Sequence, residues 1–199
     1  MSRNGLFIVL EGIDGSGKTT LAKALSAELE KRGMATVITS EPTGGAIGSL
    51  LRKEEIDDQK AETLLFIADR ACHTSEIGSL LEKGTTVICD RYYASTLAYQ
   101  SASLSGPSFD YGLLETMNAA VTREPDMTFL LDIDPEESGN RVTSRGDHIS
   151  KFERLEFQRR VRDNYLKIAE KHGFVILDAS RPKEELCGKA MEHIEELLR

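Results

Sequence analysis

The sequence GIDGSGKT, from Gly12 to Thr19, constrains the fold of this chain more than any other stretch. It fits the P-loop pattern, in which two glycines five residues apart are followed by lysine and then serine or threonine. An apolar run from Leu6 to Leu10 precedes it, and a helical repeat of apolar residues follows from about Lys18. A strand, a glycine-rich turn and a helix in this order direct backbone N–H groups and a helix N-terminus toward a phosphate. The stretch therefore predicts a nucleotide-phosphate site rather than a glycine-rich turn without a ligand.

Further apolar runs, separated by helical patterns, predict the rest of the fold. One of them, Ala35 to Thr39, is expected to form a second buried strand, and three more begin near residues 86, 127 and 174. Continuous apolar strands that alternate with helices imply a parallel sheet covered on both faces. With 199 residues, the chain suits one α/β domain over residues 1–199. We expect a three-layer P-loop NTPase fold, with a five-stranded parallel sheet flanked by helices and ligands beyond the carboxyl ends of the strands.

Composition excludes several classes of partner. The chain has 25 Lys and Arg against 33 Asp and Glu, a net charge of −8, which argues against broad binding to nucleic acid. No apolar stretch approaches the roughly 18 residues that a membrane span needs. Cys72, Cys89 and Cys187 are far apart and form no CxxC pair, so a reducing cytoplasm is the expected compartment.

The P-loop pattern and the end of the third apolar run supply candidate groups for phosphate and metal chemistry. Lys18 is expected to reach the β- and γ-phosphates of a nucleotide, and the Thr19 hydroxyl to bind Mg2+. Asp90, directly after the third run, is a second candidate for the ion, although it could equally cap the following helix. Its neighbour Arg91 favours a functional site, because one guanidinium can hold two phosphate groups while one is transferred to the other.

Two pairs of residues at helical spacing supply further candidates. Arg141 and Arg145 stand on one helix face just before a polar segment, Gly146 to Lys151. They could be cations that arrive with the closure of a lid over about residues 141–153, or they could only complement the helix dipole. Phe66 and Arg70 are also four residues apart. A core position would explain Phe66, but an arginine in an apolar turn needs a partner, which a stacked base with a carbonyl group would provide.

The helix that carries Phe66 has an unusual pattern. It is apolar nearly all round between Leu64 and Ala71, which is typical of a helix buried on more than one side. The four histidines show no spacing typical of metal ligands or of a catalytic base, and we expect them at the surface or at helix ends. They are His73, His148, His172 and His193.

Together these residues resemble the thymidylate kinase family over essentially the whole chain. The matching features are the P-loop with Asp14, Glu41 and Pro42 after the second strand, Phe66 to Arg70, Asp90 to Tyr92 with Ser95, Tyr99 and Gln100, and the arginine-bearing lid. The resemblance implies the reaction of ATP with dTMP to give ADP and dTDP with Mg2+, a step in dTTP synthesis. It also implies a homodimer packed through helices that flank the sheet.

The resemblance implies donor-side roles residue by residue. Arg141 and the loop of residues 179–181 would contact the adenine, and Arg145 would be the lid arginine on the transferring phosphate. Thr19 and Asp90 would hold the magnesium ion. The residues expected around the ATP phosphates are Gly12, Gly15, Ser16, Gly17, Lys18, Thr19 and Thr20.

On the acceptor side, the resemblance implies that Phe66 stacks on thymine and that Arg70 bonds its exocyclic oxygen. Pro42 would lie near the 5-methyl group, and Tyr99 would crowd the position of a ribose 2'-hydroxyl. Arg91 would hold the acceptor phosphate. The other residues expected to bind the monophosphate are Asp14 at the 3'-hydroxyl, Arg52 at the phosphate, Ser95 and Gln100.

The chain departs from the family pattern at two places. Thr43 stands where many members have glycine, and the lid has His148 where a common form has arginine, so Lys151 is given no role. A kinase for another monophosphate, such as dUMP, UMP or AMP, stays open, because only pocket residues separate these substrates. A signalling GTPase would need an NKxD element, which the sequence lacks. A P-loop ATPase module is a further alternative, which a second, acceptor-binding site disfavours.

Overall fold

The computed structural model describes residues 5–102, 109–141 and 151–199, with the backbone alone at residues 151–153. Five strands form a single parallel sheet in these ranges. The strands are β1 (Phe7–Glu11), β2 (Thr36–Ser40), β3 (Thr86–Asp90), β4 (Met127–Asp132) and β5 (Val175–Asp178). Their order across the sheet is β2-β3-β1-β4-β5, with every neighbouring pair parallel. The predicted α/β fold with a five-stranded parallel sheet is confirmed.

Eight helices flank the sheet in the described part of the chain. The sequence predicts helices over residues 46–53, 61–82, 94–104, 111–120 and 135–145, and most of the observed bounds agree with them. The third helix begins two residues early, at Gln59, because the Asp58 carboxylate accepts a hydrogen bond from Ala61 N at 2.8 Å. The prediction that the fourth helix continues to Leu104 is wrong, because this helix already ends at Gln100. The predicted continuation of the sixth helix to Arg145 lies outside the described residues. The helices are α1 (Lys18–Lys31), α2 (Ala46–Lys53), α3 (Gln59–Glu82), α4 (Tyr93–Gln100), α5 (Tyr111–Ala119), α6 (Pro135–Arg141), α7 (Lys151–His172) and α8 (Lys183–Leu198).

The three inner strands form the centre of the core. All five residues of β1 are buried, as are the apolar residues of β3 and the segment from Phe129 to Leu131 in β4. Burial of one large apolar side chain contributes about 1.5–3 kcal/mol, so this centre dominates the stability of the sheet. Among the described residues, no helix is long and apolar enough to cross a bilayer.

The two outer strands are less buried than the sequence suggested. The prediction that the second strand is buried is wrong, since Ile38 is 40% exposed in β2. Ile176 in β5 is 50% exposed. Both strands occupy an edge of the sheet, where a flanking helix covers only part of the strand. The order of strands, which an apolar run does not encode, decides this exposure.

The parallel arrangement brings the polar residues that end the strands to one edge of the sheet. Leu10 in β1 is level with Asp90 in β3, so the glycine-rich loop after β1 lies beside Asp90 and Arg91. Glu41 N, directly after β2, donates to Asp90 O at 3.1 Å. Residues far apart in the chain thus meet beyond the carboxyl ends of β1, β2 and β3, where open α/β sheets bind ligands.

Candidate functional site

Two cavities open at this edge of the sheet and share a wall. The first has a volume of about 580 Å³ and lies toward α3 and α4. The second has a volume of about 670 Å³ and lies over the glycine-rich loop and the N-terminus of α1. Asp14 and Arg91 line both cavities. We refer to the first as the acceptor cavity and to the second as the donor cavity.

The glycine-rich loop needs glycine at two of its positions for different reasons. A Cβ at Gly12, where φ is 143°, would lie 2.6 Å from the carbonyl oxygen of Leu131, so only glycine lets the loop pass β4. Gly17, with φ of 95°, is the residue that precedes α1, and its left-handed conformation disfavours any residue with a Cβ. Together they turn the chain from β1 into the helix N-terminus.

Lys18 folds back over this loop. Its Nζ donates to Gly12 O at 3.0 Å and to Ile13 O at 2.9 Å, with Ser16 Oγ at 3.4 Å. Burial, and then the positive charge of Arg91, lower the pKa of Lys18 to about 7. The ammonium group thus already lies within the loop that the P-loop pattern assigns to phosphates.

The predicted metal ligands adjoin each other. Thr19 Oγ1, in the first turn of α1, donates to Asp90 Oδ2 at 2.5 Å. Hydroxyl and carboxylate oxygens suit Mg2+, which takes one or two protein ligands and completes its shell with water and phosphate oxygens. The described residues contain no group of three or more His, Cys, Asp and Glu side chains that could hold a metal ion. The pair therefore fits a magnesium ion shared with a nucleotide, rather than a closed site made of protein groups.

Arg91 stands between the two cavities in an unusual backbone conformation. It is the non-glycine residue with a left-handed φ, 72°, among those described, and such conformations cluster at functional sites. Its Nη1 donates to Gly12 O and to Ser95 Oγ, each at 3.3 Å. Its Nη2 pairs with the Asp14 carboxylate and donates to Tyr99 OH at 3.3 Å. One guanidinium therefore connects the glycine-rich loop with the wall of the acceptor cavity.

A buried carboxylate beneath Arg91 was missed by sequence reasoning. Glu11 is fully buried at the end of β1 and accepts hydrogen bonds from Tyr92 N at 2.9 Å and Ser95 N at 3.1 Å. Its other oxygen accepts from Ser95 Oγ at 2.6 Å and Tyr165 OH at 3.0 Å. Burial raises the pKa of Glu11 despite these bonds. A charged residue that ends a fully apolar strand could have indicated this network.

Eight of the nine residues predicted to bind the monophosphate line the acceptor cavity. Arg52 is the exception, since its Nη2 donates to the carbonyl oxygen of Pro42. Ser95, although it lines the cavity, also takes part in the Glu11 network. The eight are Asp14, Pro42, Phe66, Arg70, Arg91, Ser95, Tyr99 and Gln100.

Arg70 is buried to 1% exposure and is held by protein groups. Its Nη2 pairs with Glu41 Oε2 at 2.6 Å and also donates to Thr96 Oγ1 at 3.0 Å. Its Nη1 donates to the side-chain oxygen of Asn118 in α5, a partner that the sequence did not indicate. The sequence predicted a ligand as the partner of this arginine, whereas the partners in the structure are protein groups of Glu41, Thr96 and Asn118.

Two buried polar atoms near the acceptor cavity have no partner among the described residues. One is Arg70 Nε, a donor, and the other is Gln100 Oε1, an acceptor. The orientation of the Gln100 amide is fixed chemically, because its Nε2 faces the carboxylate of Glu62 at 3.5 Å and a carboxylate only accepts. Leaving such atoms unpaired costs about 1–3 kcal/mol each. A ligand that paired an acceptor with Arg70 Nε and a donor with Gln100 Oε1 would recover that cost.

One prediction about α3 is wrong, since His73, expected at the surface or a helix end, is only 2% exposed. The stretch from Leu64 to Ala71, expected to be buried on more than one side, has Leu64 49% exposed in the single chain. The residues buried there include the charged Asp69 and Arg70. Asp69, Arg70 and His73 of α3 face the segment after β2, where they contact Glu41 and Thr43. Helical periodicity alone does not predict these contacts.

The donor cavity contains most of the residues predicted around ATP. Of the residues predicted around the ATP phosphates, all but Gly12 line this cavity, and Arg141 of α6 lines it as well. Arg141 Nη1 donates to Ala179 O at 3.1 Å, and both Ala179 and Arg181 line the cavity. The predicted lid arginine, Arg145, and the lid around residues 142–150 lie outside the described residues.

Helix α7 contributes cavity residues that the sequence did not indicate. Arg154 and Phe157 line the acceptor cavity, and the Phe157 ring lies 6.0 Å from that of Tyr99 in an edge-to-face contact. Neither could be found from a motif, because α7 reads as a charged helix. The basic run of Arg159, Arg160 and Arg162 in α7 suggests a solvated face from the sequence alone. In the structure Arg162 instead forms a two-point ion pair with Asp132 at 2.6 and 2.8 Å.

Comparison with known proteins agrees with this geometry. The model of the thymidylate kinase family matches residues 10–189. A probable thymidylate kinase of Pyrococcus horikoshii is 47% identical over 177 residues, which cover 83% of each chain. A thymidylate kinase of Halothermothrix orenii is 42% identical over 195 residues, 92% of each chain, and a probable one of Thermococcus kodakarensis is 43% identical over 97% of this chain and 98% of its own. A match over this much of the sequence, on a fold with two adjoining nucleotide-sized cavities, means that the chain belongs to the thymidylate kinase family.

Proposed function

We propose that this protein transfers the γ-phosphoryl group of ATP to dTMP, giving ADP and dTDP. The observation that carries the proposal is the pair of cavities that meet at Asp14 and Arg91. A phosphate-binding loop on one side and a second nucleotide-sized cavity on the other suit a donor and an acceptor nucleotide. One domain with a lid over about residues 141–153 would then carry the whole reaction.

On the donor side, the loop N–H groups and Lys18 would hold the β- and γ-phosphates. Thr19 and Asp90 would hold the magnesium ion, which when bound neutralises phosphate charge and orients the phosphates. Arg141, Ala179 and Arg181 would contact the adenine side of the cavity. Arg145 is proposed as the lid cation on the transferring group, since the loop itself contains no arginine.

On the acceptor side, Arg91 would hold the phosphate of the monophosphate next to the γ-phosphate. An acceptor phosphate oxygen is already anionic, so the transfer needs no general base, and positioning and charge stabilisation supply most of the acceleration. Asp14 would give up its ion pair with Arg91 and would itself bind the sugar 3'-hydroxyl. Arg52 would join the acceptor phosphate after leaving the Pro42 carbonyl to which it is bonded.

The base would be selected by the unpaired donor and acceptor of two side chains that line the cavity, Arg70 and Gln100. Thymine and uracil present a 4-oxo acceptor next to an N3–H donor, which complements Arg70 Nε and Gln100 Oε1. Cytosine presents the opposite order, an amino donor next to an N3 acceptor. Phe66 would stack on the ring, Pro42 would lie near the 5-methyl group, and Tyr99 would crowd a 2'-hydroxyl.

The proposal extends to the compartment and the assembly of the protein. All three cysteines are free thiols, which suits a reducing cytoplasm. A homodimer through the flanking helices is proposed on the family pattern and on the exposed apolar side chains of α2 and α3. The substrates are small nucleotides, and the net charge of −8 disfavours nucleic acid as a partner.

The direct test is ADP release from Mg·ATP by the purified protein with no acceptor and with dTMP, dUMP, UMP, dCMP, AMP or GMP. We expect the fastest release with dTMP and slower release with dUMP, by up to roughly 10–200-fold, because one methyl group supplies about 1–3 kcal/mol of discrimination. Release with dCMP should be slower than with dUMP, which differs from it only at the base edge. Equal release with every acceptor, or with none, would refute the proposal and leave a P-loop ATPase.

A further inference from the structure

His73 in α3 is a buried imidazole that no motif assigns to the reaction. Its Nδ1 lies 3.0 Å from Glu41 Oε1 and its Nε2 lies 2.8 Å from Thr39 Oγ1. Because a carboxylate can only accept, Nδ1 must carry a proton and donate to Glu41. The ring therefore has one contact to the acceptor-cavity wall, where Glu41 stands, and one to the edge strand β2.

The other oxygen of the same carboxylate holds Arg70. Glu41 Oε2 accepts from Arg70 Nη2 at 2.6 Å, and the two side chains are only 4% and 1% exposed. The last torsion of a glutamate is broad and two-fold, so one hydrogen bond does not fix the carboxylate plane. His73 on Oε1 and Arg70 on Oε2 fix it together. Hydrogen bonds thus connect His73 through Glu41 to Arg70. The Nε atom of this guanidinium has no partner among the described residues.

The contact between His73 and Glu41 affects the acceptor cavity because of where Glu41 lies. Glu41 is followed directly by Pro42, which lines the same cavity. A rotation of the Glu41 carboxylate would move the Arg70 guanidinium, which lies against the proposed base site, while the donor cavity and its loop contain none of these residues. A loss at His73 should therefore affect the two nucleotides unequally.

We propose that His73 is a positioning residue for the acceptor base, acting through Glu41 on Arg70. The inference rests on the proposed function, since it concerns the same acceptor cavity. His73 touches neither nucleotide. Its contact with Glu41 serves the acceptor site, and its contact with Thr39 serves the attachment of α3 to β2.

Two amide substitutions separate the contacts. In His73→Asn the amide nitrogen takes the place of Nδ1 and retains the bond to Glu41, whereas in His73→Gln it takes the place of Nε2 and retains only the bond to Thr39. We expect His73→Gln to raise KM for dTMP by about tenfold, with KM for ATP changed by less than about twofold, since the buried Glu41 carboxylate loses a hydrogen bond that fixes its plane. His73→Asn should keep both KM values within about twofold of those of the unsubstituted protein.

Thr39→Val is the matched control for the structural contact. It removes the hydroxyl from Nε2 without touching Glu41, and should lower Tm without changing either KM. Thermal unfolding of each variant shows whether it is folded at the assay temperature. If His73→Gln is not, His73→Met, which has a similar volume and no donor, replaces it with the same expected rise in KM for dTMP.

Equal rises in KM for dTMP in His73→Asn and His73→Gln would overturn the inference, as would parallel rises in both KM values. Such results leave dTMP turnover by the unsubstituted protein intact, so they do not touch the proposed function. If the acceptor panel selects another monophosphate, the proposed substrate fails, and the same comparison with that acceptor decides the role of His73. If no acceptor stimulates ADP release, both proposals fall.

Discussion

Lys18 shows how burial prepares a single residue for an anionic ligand. Its ammonium group is bonded to carbonyl oxygens of its own loop, and burial, followed by the charge of Arg91, lowers its pKa to about 7. A bound phosphate adds negative charge beside the group and must raise that pKa. Nucleotide binding above neutral pH should therefore take up a proton at Lys18.

The uptake can be measured by titration calorimetry with Mg·ADP in two buffers that differ in their enthalpy of ionisation. With a pKa of about 7 in the free protein, we expect an uptake of about 0.9 proton at roughly pH 8 and about 0.1 at roughly pH 6. Lys18→Arg is the control, because a guanidinium stays protonated at both pH values and reports the ionisation of the nucleotide itself. The same uptake in both proteins at both pH values would contradict the assigned pKa.

Arg91 lines both cavities, and its proposed ligand is the acceptor phosphate. Replacement by alanine removes the guanidinium but keeps a Cβ, so the left-handed backbone at this position is no more strained than before. We expect Arg91→Ala to lower kcat/KM for dTMP by about 10²–10³, the range found when one charge-stabilising group is lost. The Kd for ATP should change by less than about threefold, because the donor phosphates keep the loop and Lys18.

Arg160→Ala is the matched control for this substitution. Arg160 is exposed on α7, pairs with Glu156 and lines neither cavity, so its loss should leave kinetics and binding unchanged. Unchanged turnover in Arg91→Ala would refute the acceptor-phosphate assignment, and a large loss of ATP affinity would assign Arg91 to the donor instead.

At the scale of helices and strands, apolar periodicity and the residues that end an element predict where the strands and helices lie. Apolar runs located all five strands, and α2 has the predicted bounds, Ala46–Lys53. The parallel topology follows from the alternation of these elements, and with it the edge at which the polar residues meet. Exposure of Ile38 and Ile176 could not be predicted in this way, because it depends on which strands occupy the edges of the sheet.

Contacts between elements were the least predictable part of the site. Glu11 accepts from Tyr92 N, 81 residues later, and nothing local in either stretch specifies the pairing. Arg52 was predicted on a phosphate because of its spacing from Pro42, and the structure gives it the carbonyl of that same residue. His73 has the polarity of a surface residue in the sequence, and only the packing of α3 against the segment after β2 makes it a buried group.

At the scale of the whole molecule, the charge distribution reconciles an acidic protein with anionic substrates. The net charge is −8, yet among the residues that the structure describes five cationic side chains line the donor cavity. A local cluster of this kind attracts phosphates without giving the surface a general affinity for polyanions. The five are Lys18, Arg91, Arg141, Arg181 and Lys183.

The proposed homodimer can be tested at the same scale. Leu50 on α2 and Leu64 on α3 are 40% and 49% exposed, and these two helices pack against each other. If this face is the interface, Leu64→Glu places a charge in a desolvated contact, which should weaken association by about 2 kcal/mol or more, roughly thirtyfold. Light scattering coupled to size exclusion should then show monomer at protein concentrations where the unsubstituted chain is a dimer.

Leu113→Glu is the control, since Leu113 is equally exposed at 50% but lies on α5. It should leave the dimer intact and keep the Tm of the unsubstituted protein within a few degrees, because an exposed position changes stability by only about 0.5 kcal/mol. Leu64→Glu should stay folded, with its Tm lowered only as far as loss of the dimer lowers it. A monomeric unsubstituted chain would refute the dimer itself. If the dimer persists in Leu64→Glu but dissociates in Leu113→Glu, the interface lies on α5 instead. Helix α5 carries Asn118, which accepts a hydrogen bond from Arg70, so α5 would then connect dimer assembly with the acceptor cavity.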